Sequence, residues 1–599
     1  MSQNIKNAFE ASNARDFTSN QLVNEFIWTR SFTELLDSTK NQVVLGSRGS
    51  GKTALIKMLS HQNLRKLVNK SSETNFDKEN IAKAKDIIDC KKLIATYVPL
   101  KVEWVNSLDN YDNSQERYFI WSLNLATCVR LLDTVSSCID EYIIDEVEAT
   151  LIQRQICKKL SKLWTLKKQV NNTIELRQEL EVLEYEKNLA FNKESMGIEL
   201  STDEKALGFA FHGNLFSPFT IATKQVSEAL DIPDDCKWIL CLDEAEFLSK
   251  RHHEILNTHM RSANDIFFKV TTMPYRHHTL ATTVSANINV GHDLEYVYID
   301  KLGTINMNQT ESDRQIQLFA TKLFENRLRH YSNLTLTLED FIGLSKLSQD
   351  TAELVSDEKL FSLIKQHCNE ATIARAIKLY DDDDKSKFNN EIARKIRGIL
   401  VLRDEFHNRI GSSNSSLYSG GAIISRCSDG NPRRIFRLFN HLLNGTMKDK
   451  MSLSPQLQSK RIKSFSYSEL EVLKFEKGGK KSFELLKELG LYFKEQTLEV
   501  KLGTDLAQGI KINDSISNEV WEAIKSAVDL GLLYPVVRKD SNHKNLFPEK
   551  EGDFSLANCL APYFNLFPRL GRAVDFNRLM ANKPANTLTN NQFELFDNE

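Results

Sequence analysis

The fold of this chain is decided by the stretch Gly46-Ser47-Arg48-Gly49-Ser50-Gly51-Lys52-Thr53. It follows the apolar run Gln42–Leu45 and precedes a helical pattern, so a glycine-rich turn joins a strand to a helix. Such a turn lets backbone N–H groups surround phosphate oxygens, while Lys52 can reach the outer phosphates and the Thr53 hydroxyl can hold Mg²⁺. The alternative is a turn without a ligand, and the strand–loop–helix context argues against it. The stretch therefore predicts a phosphate-binding loop for ATP and Mg²⁺.

Length and composition limit the class of protein. The 599 residues suffice for roughly three or four domains. The sequence has neither a transmembrane-length apolar run nor the apolar core of a signal peptide at its start, so we expect no membrane partner. A formal net charge of −2 means that any nucleic-acid contact would come from local basic patches. The cysteines lack metal-binding spacing, and Cys236 and Cys241 are predicted core thiols, which favours a reduced, cytoplasmic location.

A second apolar run ends in two acids. Residues 237–242 are typical of a buried parallel strand, and Asp243 and Glu244 follow directly. Asp243 can bind the Mg²⁺ shell, and Glu244 can act as general base toward an attacking water. The alternative is a pair of acids at a helix N-terminus. Together with the phosphate-binding loop, the pair favours the catalytic interpretation.

Two further strands are predicted downstream. Residues 266–274 form a strand with polar residues at its end, where Thr271 or Thr272 could contact the γ-phosphate. An ordinary half-buried strand remains the alternative. The run 296–300 is the next predicted strand.

A turn and a helix start carry two arginines. Gly430-Asn431-Pro432 places a proline in the first turn of a helix, which puts Arg433 and Arg434 near its N-terminus. One guanidinium there could reach a nucleotide phosphate. A solvated basic helix start is the alternative.

In this order, these parts resemble AAA+ ATPases, and the details are most similar to the origin-recognition/initiator branch and to bacterial relatives with STAND-like features. The resemblance covers roughly residues 13–443. It implies an α/β P-loop NTPase core, with a parallel sheet and helices on both faces. It implies that Lys52 and Thr53 are the Walker A residues and that Asp243 and Glu244 are the Walker B pair. It also implies that Arg433 or Arg434 is the sensor-2 arginine.

The resemblance also suggests two further assignments. Trp28 precedes the loop and could stack on adenine, although a core tryptophan is the simpler alternative. AAA+ oligomers supply an arginine finger in trans, for which Arg261 and Arg276 are the candidates. Oligomers are expected on this basis.

The chain organisation follows from the motif order. We predict the ATPase core over 1–305, a helical or coiled-coil insertion over about 105–230, and an all-α lid over 306–445. In the insertion, leucine-rich positions recur at helical spacing, with a phase break after the fourth: Leu163, Leu166, Val170, Ile174, Leu176, Leu180 and Leu183. They suit a projecting helical hairpin, and plain packing of a helical subdomain is the favoured alternative.

The C-terminal part has a different pattern. A helix over 518–528, strands over 532–537 and 552–556 and a basic loop between them look like a winged helix, predicted over 446–580. Double-stranded DNA is a possible partner there, as is protein. The basic positions are in the loop (Arg538, Lys539, Lys544) and in the patches 460–463 and 477–481.

The tail over 581–599 ends in Gln592-Phe593-Glu594-Leu595-Phe596. It resembles the peptide by which bacterial proteins dock on the replication sliding clamp, with Gln592, Leu595 and Phe596 as contacts. A tail that docks on its own protein is the alternative.

The sequence as a whole predicts an ATP-hydrolysing switch, responsive to DNA or phage in bacterial antiviral defence and acting through a separate effector protein. One alternative is a DNA-loading or replication/transposition regulator. Another is a nucleotide-gated scaffold that hardly hydrolyses ATP.

Overall fold

The computed structural model describes most of the chain, in these ranges: 9, 14–69, 75–104, 113–284, 286–306, 309–332, 336–344, 347, 356–381, 385–408, 416–443, 453–476, 478–504, 506–536 and 550–581. The described residues form two compact units. The first comprises the chain up to 341 and the segment 428–443. The second comprises 342–427 and the described residues from 453 onward. The predicted lid range, 306–445, is thus divided between the two units.

The first unit contains a five-stranded parallel sheet. Its strands are β1 (Gln42–Leu45), β2 (Leu93–Pro99), β3 (Lys237–Asp243), β4 (Ile266–Thr272) and β5 (Glu295–Tyr298), in the spatial order β2-β3-β4-β1-β5. Each adjacent pair is parallel. All the strand carboxyl ends therefore meet at one edge, where the predicted motifs follow β1, β3 and β4.

Helices cover both faces of this sheet. Successive residues of β1 point to opposite sides, because Val43 and Leu45 lie in one hydrophobic core and Val44 lies in the other. The predicted α/β core with a parallel sheet is confirmed. The helices of the first unit are Ser19–Glu25, Arg30–Asp37, Lys52–Met58, His61–Val68, Asn75–Asp89, Asn113–Tyr142, Glu146–Leu163, Thr173–Ser195, Thr202–Lys205, Ser217–Ala229, Lys250–Ser262, Gln309–Ser332 and Pro432–Leu443, and Leu338–Ile342 lies at the boundary. Short 3₁₀ turns lie at Val102–Trp104, Phe209–His212, Ala245–Phe247 and Asp300–Asn306.

The segment between β2 and β3 is helical and packs on the core. Val170, Leu176 and Leu180 are buried there together with residues of the sheet. Ile174, the last apolar position before the predicted phase break, is 69 % exposed and lies outside this core. One helix ends at Leu163 and the next begins after the Asn172 cap, so the helical phase restarts between them.

The second unit contains a smaller, mixed sheet. Its strands are β6 (Ala507–Ile512), β7 (Leu533–Val536), β8 (Gly552–Leu556) and β9 (Arg572–Asp575), in the order β7-β8-β6-β9. Strand β8 is antiparallel to β6 and β7, and β9 is parallel to β6. The helical elements are Asp357–His367, Glu370–Asp381, Lys385–Phe388, the π turn Asn389–Ala393, Arg394–Asn408, Gly421–Cys427, Pro455–Glu471, Val472–Phe475, Gly479–Leu498, Asn518–Asp529, Asn558–Leu560 and Phe576–Ala581.

Two general properties concern membranes and thiols. Among the described residues, no helix combines the length and apolar character needed to cross a bilayer. All nine cysteines are free thiols, and Cys236 and Cys241 are buried as predicted.

Candidate nucleotide site

The glycine-rich loop connects β1 to the helix Lys52–Met58, as the sequence predicts. Gly49 and Gly51 have φ angles of 82° and 98°, a region that favours glycine because other residues carry a Cβ. At Gly49 a Cβ would lie 2.7 Å from the Arg433 Cβ. The loop conformation and its packing therefore both require glycine at this position.

The Lys52 side chain folds back over the loop that precedes it. This side chain is buried, and its ammonium donates to the carbonyls of Gly46 at 2.8 Å and Ser47 at 3.3 Å. The Glu246 carboxylate lies 3.9 Å away. The cation is thereby held over the loop backbone, where a phosphate would bind.

Strand β3 delivers Asp243 to the same edge of the sheet. The Asp243 side chain is fully buried, and its two oxygens accept from the Tyr97 hydroxyl at 2.9 Å and from the Thr271 hydroxyl. Leu100 N–H donates to the Asp243 carbonyl, which ties the end of β2 to this position. Both neighbours orient the carboxylate.

Glu244 adopts a left-handed backbone conformation, with φ of 65°. This is uncommon for a residue other than glycine, and such strain is concentrated at functional sites. The Glu244 N–H donates to the Thr271 hydroxyl at 3.0 Å, and the carboxylate pairs with Arg15 at 2.9 Å. Burial raises the pKa of Glu244, Asp243 raises it further, and Arg15 opposes the shift.

The helix Pro432–Leu443 begins against the loop. Arg433 N–H donates to the Gly49 carbonyl at 3.3 Å, and the Asn431 side chain donates to the Arg48 carbonyl at 3.1 Å. The sequence-predicted sensor segment is therefore in direct contact with the loop, although about 380 residues separate them along the chain.

The structure distinguishes the two adjacent arginines. Arg434 forms a 3.1 Å ion pair with Asp429, and both side chains are almost completely buried. Burial lowers the pKa of Arg433, as do Arg48 and Arg437, while Glu244 acts in the opposite direction. Arg433 therefore lies in the electrostatic field of the site, and Arg434 belongs to a buried pair.

Thr271 and Thr272 also differ. The Thr271 hydroxyl contacts Asp243 and Glu244, whereas Thr272 Oγ1 is buried and has no hydrogen-bond partner in the part of the chain that is described. The Ser50 hydroxyl, in the loop, is likewise buried without a hydrogen-bond partner among the described residues. These two hydroxyls are available to a ligand.

Comparison with known proteins decides the family. Residues 7–576 match the family model ORC-CDC6-like.

The chain belongs to the ORC-CDC6-like family.

The predicted resemblance to origin-recognition/initiator-type AAA+ ATPases is thereby confirmed. No curated protein and no solved structure matches the chain.

In this ORC-CDC6-like chain, Asp300 is a site residue that sequence reasoning missed. It is buried, and it accepts from the Ser47 N–H at 2.9 Å and from the Ser47 hydroxyl at 2.6 Å. Burial raises the pKa of Asp300, and the bonds from Ser47 oppose the shift. The available signal was its position as the last residue of the predicted strand over 296–300.

Arg15, Tyr97 and Glu246 are the other residues that sequence reasoning did not assign to the site. Glu246 follows the predicted acid pair by two residues, which was a weak signal. Arg15 and Tyr97 carry no local pattern. They reach the site only through the tertiary fold.

The remaining candidates have the following positions. The Trp28 indole donates to the Thr33 hydroxyl at 2.8 Å and packs against Phe32. Arg261 donates to the Asn287 carbonyl, and Arg276 lies in the field of Glu246. In the basic patches, Lys463 donates to Asn565 and Lys481 pairs with Glu519. The positions outside the described residues are Lys477, Arg538, Lys539, Lys544, Gln592, Leu595 and Phe596.

Proposed function

We propose that this ORC-CDC6-like protein is a switch that binds and hydrolyses ATP at the carboxyl edge of its parallel sheet. The observation that carries the proposal is the pair of hydrogen bonds from Asn431 and Arg433 to the backbone of the phosphate-binding loop. A helix start bonded to this loop responds to what the loop binds, which is how nucleotide state is transmitted in such proteins.

The residues present fit ATP and Mg²⁺. Gly46 and Gly49 leave no room for a Cβ, and the buried Ser50 and Thr272 hydroxyls retain hydrogen-bonding capacity within the described structure. Thr53 and Asp243 supply the oxygen ligands that Mg²⁺ prefers. When bound, Mg²⁺ neutralises phosphate charge.

Each charged residue then has a role in this proposal. Lys52 and Arg433 bind the phosphates as cations. Glu244 accepts a proton from the attacking water, and the rise in its pKa makes it a stronger base. Arg434 positions the helix start through its buried pair with Asp429.

The biological role that we propose is a cytoplasmic bacterial defence switch, responsive to DNA or phage, which oligomerises and acts with a separate effector. The helix Asn518–Asp529 followed by antiparallel β7 and β8 supports a winged helix that binds double-stranded DNA. Docking of the tail on a sliding clamp remains a further part of the proposal.

A second candidate function is a nucleotide-gated scaffold with little hydrolysis. The observation that favours it is the Glu244 carboxylate paired with Arg15, because a carboxylate bound to a guanidinium is a weaker base.

Steady-state ATP hydrolysis, with and without double-stranded DNA, tests both candidates. Glu244→Gln is the test variant, and the exposed Glu228→Gln is the matched control. DNA-stimulated turnover that only Glu244→Gln abolishes supports the DNA-responsive switch. Basal turnover that DNA does not change indicates a protein or phage trigger. Tight ATP binding without turnover supports the scaffold.

A further inference from the structure

The N-terminal segment 14–17 is tied to the helix that follows the phosphate-binding loop. The Lys57 ammonium donates to three backbone carbonyls of this segment, those of Ala14 at 3.3 Å, Arg15 at 2.8 Å and Phe17 at 2.9 Å. Three bonds to one ammonium use its full donor capacity. The backbone of the segment is therefore anchored beside the site.

The anchored segment projects one side chain onto the proposed base. Arg15 Nη1 lies 2.9 Å from Glu244 Oε2, with the two side chains 48 % and 23 % exposed. The Glu244 backbone is held independently by its N–H bond to Thr271. Within the described structure, the Arg15 guanidinium thus bonds to the carboxylate and not to the Glu244 backbone, so its removal should leave the strand end in place.

We propose that Arg15 is a positioning residue that restrains Glu244 in cis, so that the segment 14–17 must release the carboxylate before water can be activated. This inference rests on the proposed role of Glu244 as general base. A base that accepts from a guanidinium has one oxygen occupied, and the cation stabilises its charged form. Lys57 contributes indirectly, because it holds the segment that carries Arg15.

The contact is weak enough to be broken during turnover. An ion pair as exposed as this one contributes little stability, so its release requires only a small change in free energy. Other charged or titratable groups also act electrostatically on Glu244 or are acted on by it: Asp243, Glu246, Lys52, Arg433 and Tyr97. The test must therefore separate Arg15 from these neighbours.

The test measures kcat and KM in the full-length chain. Arg15→Ala should raise kcat about two- to fivefold, the range expected for loss of an exposed ion pair. The KM for ATP should stay unchanged, because Arg15 contacts the Glu244 carboxylate rather than the phosphate-binding loop. Arg15→Lys should keep the restraint, at least in part.

Lys57 supplies the second arm of the test. Lys57→Gln should raise kcat by a similar factor, and the double variant should show no additional rise, because both changes release the same segment. Lys66→Gln, which removes another lysine bonded to the N-terminal region at Asn20, is the matched control and should leave kcat unchanged.

Three outcomes would overturn the inference. A lower kcat in Arg15→Ala would mean that Arg15 takes part in the reaction, and an unchanged kcat would mean that the contact is incidental. If the effects of Arg15→Ala and Lys57→Gln were additive, the two residues would act independently rather than through the same segment. Failure of the proposed function is a different result, since Glu244→Gln would then retain turnover whatever residue stands at position 15.

Discussion

The two edges of the parallel sheet use their polar groups differently. At the amino edge, the Asn41 amide donates to the carbonyls of Met260 and Asp293 and accepts from Phe268 N–H. At the carboxyl edge, the hydroxyls of Ser50 and Thr272 are buried without any partner among the described residues, whereas the unpaired Gln42 Nε2 at the amino edge belongs to a side chain whose Oε1 accepts from Lys269. Buried polar groups are normally paired, so unpaired ones need a specific explanation.

The difference separates groups that hold the fold from groups that serve a ligand. Lys269 at the amino edge donates to Ser38 O, Lys40 O and Gln42 Oε1, which uses all three ammonium donors. At the carboxyl edge Glu244 has a left-handed backbone, and within the described structure its carboxylate accepts a hydrogen bond from the half-exposed Arg15. We therefore expect substitutions of fully paired buried groups to change stability, and substitutions of the unpaired or weakly paired groups at the carboxyl edge to change activity.

Lys52→Ala provides the largest expected effect. Loss of the loop cation should reduce ATP turnover about a thousandfold, the upper range for one preorganised donor. Because the Lys52 ammonium bonds to loop carbonyls and faces Glu246 in the described structure, thermal stability should fall far less. Steady-state hydrolysis and thermal unfolding check both, with the exposed Lys224→Ala as control. Turnover close to that of the wild type would contradict the expectation that the carboxyl edge serves activity.

Arg433 and Arg434 should divide along the same line. Arg434→Ala removes the cation that pairs with the buried Asp429 carboxylate, which should lower the free energy of unfolding by about 3 kcal/mol. Arg433→Ala should reduce turnover with a stability change below about 1 kcal/mol. Chemical denaturation of the two variants, alongside their kcat values, measures the split. The reverse pattern would assign the phosphate contact to Arg434.

The sequence predicted most of the residues that the structure brings together at the carboxyl edge, because they lie at strand ends with strong local signals. Strand β3 and the acids that close it were predicted together, and the Gly430-Asn431-Pro432 turn predicted the helix start. The choice between Arg433 and Arg434 was not possible from spacing, since both follow the same turn. The buried Arg434–Asp429 pair favours Arg433 as the proposed phosphate contact, and burial is a tertiary property.

The limits of prediction are equally physical. The apolar run 93–102 predicts one strand, but β2 ends at Pro99, because proline has no N–H to donate and a 3₁₀ turn follows at Val102–Trp104. The Arg15–Glu244 pair joins residues 229 positions apart, without a periodic or motif signal. Contacts of this kind emerge only when the chain is folded.

Lys269→Met tests the amino edge through pH. Burial lowers the pKa of Lys269 to about 8, from 10.5 in the unfolded chain. Between these pKa values the unfolded state binds more protons than the folded state. The free energy of unfolding of the wild type should therefore rise by about 2 kcal/mol as pH rises from 7 to 10. Below pH 8 the full cost of the buried charge remains. Lys269→Met should lack this gain, and Lys224→Met should keep it. Urea unfolding across this pH range gives the slope, and equal slopes in wild type and Lys269→Met would contradict the assignment.

Thr272→Val has the smallest expected effect on stability and tests the carboxyl edge most directly. Valine has nearly the same shape as threonine, and the lost hydroxyl has no described partner, so the free energy of unfolding should change by less than about 1 kcal/mol. Thr271→Val is the matched contrast, because it leaves Asp243 and the Glu244 N–H without their common partner and should cost about 1–3 kcal/mol. If the Thr272 hydroxyl serves the nucleotide, Thr272→Val should lower ATP turnover severalfold despite its intact stability. Unchanged turnover would mean that an unpaired hydroxyl at this edge does not mark a ligand contact, and the distinction between the two edges would then depend on the charged residues alone.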